Sequence, residues 1–198
     1  MAFRHSSFQR AAPRSALRLL FMSAALLTLC AALQAETIEI KVPYALCWGD
    51  SPEKIHGMIS AVKASETACS EKAPGKIVIE AEGLGIADPL LKKSIFTFRD
   101  GALIEVELLY SEDSWDGDKA VDFFDRTRRR IDERYGAGML LVNKVKETPA
   151  DPAAPKDSAY TLIIYNWSQP IVALELSFYS MEEKERAFRL VSLRYKAP

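Results

Sequence analysis

The chain has 198 residues, of which 48% are hydrophobic, 27% charged and 10% aromatic, with a formal net charge of -1 and three cysteines. This balance excludes a collagen, a coiled coil, a long disordered chain and a polytopic membrane protein. Setting aside the first 35 residues, which hold four arginines and no acid, leaves 22 Lys and Arg against 27 Asp and Glu. A mildly acidic body of that kind gives no electrostatic reason to expect nucleic acid or an anionic membrane surface as partner.

Arg4, Arg10, Arg14 and Arg18 precede an apolar run from Leu19 to Leu33, which is the layout of a secretory signal peptide. The run is too short for a stable membrane span. Leu33-Gln34-Ala35 ends it, so cleavage is expected after Ala35, placing residues 36–198 in the periplasm or outside the cell. Lipidation at Cys30 is the lesser alternative, because bulky Leu29 precedes it where a small residue is the rule. Processing leaves Cys47 and Cys69 as the two cysteines and His56 as the one histidine. In an oxidising compartment such a pair is expected to form a disulfide worth roughly 3 kcal/mol, the alternative being two separate buried thiols.

Along the exported part, alternation over Thr37 to Val42 predicts a strand, and Pro52 with the stripe Ile55, Met58, Ile59 and Val62 predicts a helix over 52–63. Strands follow at 76–82, 94–99 and 102–110, the last two joined by Asp100-Gly101, a dipeptide suited to the positive φ angles of a tight hairpin. Val121, Phe124, Ile131 and Tyr135 mark a long helix over 118–135, with Gly136 at its end. Its run of Arg126, Arg128, Arg129 and Arg130 is expected to be answered by i, i+4 acids, from Asp122 to Arg126, Asp125 to Arg129, Arg128 to Asp132 and Arg129 to Glu133. Strands are then predicted at 139–146, 159–166, 171–179 and 187–195, with the Pro-rich stretch 147–157 as an exposed loop. The fold class predicted is α+β, as two tandem helix-then-antiparallel-meander units, 36–112 and 113–198, with the helices packed on one face of the sheet or sheets.

The chemistry on offer is thin. One histidine is no basis for a Ser-His or Cys-His pair, no cysteine or histidine spacing suits zinc, and Gly83-Leu84-Gly85 is too short for a phosphate loop. No catalytic, cofactor or metal residue is therefore assigned. The densest cluster is Ser111 to Asp118, four acids around Trp115. Asp116 or Asp118 suits a helix N-cap and calcium is a weaker alternative, while Trp115, flanked by Asp113 and Asp116, is the candidate partner contact.

Trp48-Gly49-Asp50-Ser51-Pro52-Glu53-Lys54-Ile55, the strand Phe96 to Leu103 and the helix end Tyr135-Gly136 resemble small exported bacterial domains, among them SmpA/OmlA-type outer-membrane assembly lipoproteins and beta-lactamase-inhibitor-like modules. The resemblance implies a helix-plus-antiparallel-sheet module that binds other proteins and has no catalytic residues. The function expected is thus a non-catalytic exported scaffold or inhibitor whose partner is another envelope or secreted protein. The alternatives are a periplasmic protein that binds a small ligand or a metal, and, behind it, a hydrolase.

Overall fold

The computed structural model describes residues 38–85, 88–146, 158–183 and 186–198. The expected leader, its cleavage point and the 147–157 loop lie outside the described residues. Among those described, no helix is long and apolar enough to cross a membrane.

Among the described residues eight strands form one antiparallel sheet: β1 (Ser65–Ala73), β2 (Lys76–Glu82), β3 (Leu91–Arg99), β4 (Ala102–Tyr110), β5 (Met139–Lys146), β6 (Ser158–Gln169), β7 (Val172–Glu183) and β8 (Arg186–Lys196). Their spatial order is β1-β2-β3-β4-β8-β7-β6-β5. The expectation of two tandem helix-meander units is corrected by the pairing of β4 with β8, where Val106, Leu108 and Tyr110 lie opposite Tyr195, Leu193 and Val191. As separate units, each half would leave an apolar edge strand with a row of unpaired backbone groups. Joining them pairs those groups and makes one core, in which Val106 and Val191 are fully buried.

Helix α1 (Pro52–Ala61) buries Ile55 and Ile59, and helix α2 (Gly117–Tyr135) buries Ala120, Phe124 and Ile131 in that same core. Asp116 caps α2 by accepting a hydrogen bond from the Lys119 amide at 2.8 Å, which holds its carboxyl below the usual range. At the far end Gly136 takes φ +87°. The β3–β4 turn has Asp100 at φ +51° and Gly101 at +80°, the backbone that the dipeptide predicted.

Two strand assignments change. Ile38 to Val42 is not a strand, yet its backbone is satisfied as one would be: the Ile40 amide donates to Gln169 Oε1 at 2.8 Å, and Gln169 Nε2 donates to the Ile38 carbonyl at 2.9 Å. One side-chain amide takes the place of a neighbouring strand. This segment continues through Tyr44, whose hydroxyl meets Ser94 Oγ at 2.6 Å, to Trp48, which donates to the Ile171 carbonyl at 2.9 Å. Strand β1 was not predicted, because Ser65–Ala73 is almost wholly polar and exposed and has no apolar alternation to read.

Burial also acts on the phenols of the core. Desolvation pushes the Tyr195 hydroxyl up to about 12 and that of Tyr110 higher still, so both stay neutral through the physiological range.

Candidate protein-binding surface

The sheet has two edges, and they differ. Strand β1 carries Glu66, Glu71 and Lys72 and is broken by two bulges, devices that discourage pairing with another chain. Strand β5 reads Met-Leu-Leu-Val-Asn-Lys-Val-Lys, and its apolar residues face solvent: Met139 is 61% exposed, Val145 69%, and Leu140 and Leu141 about half.

Register shows why. Met139, Val142 and Lys144 lie opposite Asn166, Ile164 and Leu162 of β6, on the face without helices. Leu140, Asn143 and Val145 lie opposite Tyr165, Ile163 and Thr161, on the helix side. Leu141 is the extra residue of a bulge. Helix α2 reaches Tyr165 of β6, with the Phe124 ring centroid 6.2 Å away and the Arg128 guanidinium 5.3 Å above the same ring. It packs on β7 and β8 and reaches β6 through Tyr165 and Trp167, and among the described residues Met139, Leu140, Leu141 and Val145 of β5, beyond them, stay exposed.

Two hollows share Ile40, and the smaller of them reaches the start of β5. The larger, about 470 Å³, is lined by Ile40, Val42, Leu46, Cys47, Trp48 and Ile171 among others. The smaller, about 220 Å³, includes Met139, Tyr135 and Trp167. Exposed Ile38 and Ile171 extend the apolar surface at this end of the sheet. Exposed apolar edge strands and adjoining hollows are the features by which sheets can accept an extended segment.

The helix-free face also carries an ion-pair row in its middle. Glu107, Arg194 and Glu175 are cross-strand neighbours on β4, β8 and β7. Arg194 donates to Glu107 at 2.8 Å and to Glu175 at 3.2 Å, and Lys196 reaches Glu175 at 3.0 Å. Burial works against the Arg194 charge, but Glu107, then Glu105 and Glu175, outweigh it and raise its pKa. With cations answering these carboxylates, the row ties three strands together.

The sequence-predicted contacts stand elsewhere. Trp115 does not project: it is 7% exposed, its ring centroid lies 5.2 Å from that of Phe123, and its carbonyl accepts from Arg189 at 3.0 Å. Asp116 is the helix cap already described, and Asp113 is exposed. The aromatic ring against Trp115 is Phe123 of α2, itself packed on Tyr110 of β4, so the acids beside Trp115 in sequence gave no hint of its burial.

The expected disulfide is also corrected, since Cys47 and Cys69 are free and exposed. Cys47 adjoins Trp48-Gly49, whose Gly49 amide donates to the Leu103 carbonyl of β4, whereas Cys69 is in β1. Three strand spacings separate β1 from β4, about 14 Å, beyond the Cα separation a disulfide spans. Among the described residues no group of three His, Cys, Asp or Glu side chains is placed to hold a metal ion. His56 hydrogen-bonds Glu66 at 2.7 Å and so links α1 to β1.

Of the four i, i+4 pairs expected along α2, Arg128 with Asp132 forms, at 2.9 Å. Arg126 and Arg129 instead donate to the backbone carbonyls of Asp122 and Asp125.

No family model matches the chain, nor does any curated protein or solved structure.

Proposed function

We propose that the chain is a non-catalytic exported module that binds another protein by receiving an extended segment of it as a ninth strand along β5. The observation that supports this reading most directly is the exposure of Met139, Leu140, Leu141 and Val145 on an edge strand whose counterpart at the other end of the sheet carries no large apolar residue. An exposed apolar edge is an aggregation hazard unless something covers it. The hollows around Ile40 then serve as receptacles for side chains flanking the added strand.

Glutamates placed on that edge separate binding from folding. The double variant Leu140→Glu, Val145→Glu changes two exposed side chains and is expected to alter stability by under about 1 kcal/mol. Complexes recovered with the tagged wild-type chain from its own compartment are expected to be lost, because an incoming strand must then desolvate two carboxylates. Undiminished recovery with the variant contradicts the reading.

A further inference from the structure

We propose that the larger hollow is a binding site for an extended peptide, which pairs with the backbone of Glu39 and Lys41 and carries, in order, an acidic, an apolar and a basic residue. The site goes beyond strand addition along β5, because the residues lining it include none of that strand.

The segment beside the hollow is extended and bonded on one side only. The Ile38 carbonyl and the Ile40 amide both turn to the Gln169 side chain, as groups two residues apart do in an extended chain. The backbone groups of Glu39 and the Lys41 amide therefore point the other way, and among the described residues they have no hydrogen-bond partner. Gln169 lines the smaller hollow and not the larger, whereas residues 39–42 border the larger one, which thus lies along the free edge.

A free strand-like edge beside an apolar hollow suits a peptide, whose own donors and acceptors repeat at the same spacing and whose alternate side chains need a receptacle. The residue opposite Ile40 shares its inward face, toward Leu46, Trp48 and Ile171, so an apolar side chain belongs there. The far wall is held in place by the Trp48 indole, which donates to the Ile171 carbonyl at 2.9 Å. At about 470 Å³ the hollow has the size of a ligand site.

Charge fixes the flanking residues. Glu39 and Lys41 are exposed, two apart, and make no ion pair among the described residues. A base opposite Glu39 and an acid opposite Lys41 complement them across the added strand. In the antiparallel sense that the sheet uses throughout, the acid comes first and the base last.

Two fluorescein-labelled peptides of one composition test the site, with glutamate-leucine-lysine at the centre of the first and lysine-leucine-glutamate at the centre of the second, flanked by serine and threonine. Fluorescence anisotropy is expected to show the first bound roughly tenfold more tightly. Glu39→Lys with Lys41→Glu, a change at two exposed positions, is expected to invert that order. The first peptide should also slow alkylation of Cys47, which lines the hollow, and leave Cys69 on β1 unaffected. Binding of neither peptide, a wild-type preference for the second, an order that does not invert, or an unprotected Cys47 overturns the site. The Leu140→Glu, Val145→Glu variant is expected to bind the first peptide undiminished, and loss of binding there would put the peptide on β5 instead, so this site and strand addition fail separately.

Discussion

Replacing Trp115 by alanine is expected to cost about 3 kcal/mol of stability, as removal of a large buried aromatic does. The indole packs against Phe123, which in turn lies 5.3 Å from Tyr110, so the change opens a cavity where α2 starts above β4. For a domain of this size that loss lowers the melting temperature by roughly 10 °C. The binding proposed for β5 should be unaffected at temperatures where the variant is folded. Thermal unfolding alongside capture decides it: full stability with weakened capture would restore Trp115 as a contact residue.

A side chain at Gly138 is expected to be comparably damaging. A Cβ there would run into the Trp167 indole, coming within 2.8 Å of its Nε1. That nitrogen donates to the Gly136 carbonyl at 2.9 Å and to Asp132 Oδ1 at 3.1 Å, and the Gly138 amide donates to the same carboxylate oxygen at 2.9 Å. Pushing the buried indole aside both overpacks the site and breaks hydrogen bonds to a charged acceptor, together about 3 kcal/mol. Urea unfolding of Gly138→Ala should show a clear fall in midpoint. An unchanged midpoint would mean that the helix end and Trp167 are not locked together as described. The damage should also reach β5, which begins at the next residue.

Local signals were legible where the chain makes its own structure. Asp100-Gly101 and the stripe of α2 depend on residues close in sequence: the turn forms as read, and of the stripe Phe124 and Ile131 are buried while Val121 is exposed. Strand β1 escaped because an edge strand with polar residues has no pattern to betray it. The junction of β4 with β8 escaped for a different reason. Tyr110 and Val191 are partners across eighty residues of chain, and no periodicity records which strand a strand will meet. Ile38 to Val42 alternates as a strand should, but its hydrogen bonds go to one glutamine side chain.

The exposed apolar edge was hidden by the same ignorance of strand order. Met139-Leu140-Leu141-Val142 is a continuous apolar run, which ordinarily marks a strand buried on both faces. Its place at the end of the sheet turns that pattern into exposure. The acidic Trp115 loop drew attention instead because tryptophan among charges looks exposed in one dimension. Had the sheet order been known, the apolar edge would have stood out against the charged one.

The most direct test is site-specific photo-crosslinking in the producing cell. A photoreactive residue replaces Val145 at the most exposed point of β5, and the control replaces Ser70 on β1. The account predicts a discrete adduct from position 145 to another protein that is absent from position 70. No adduct at 145, or equal adducts from the two edges, would contradict it.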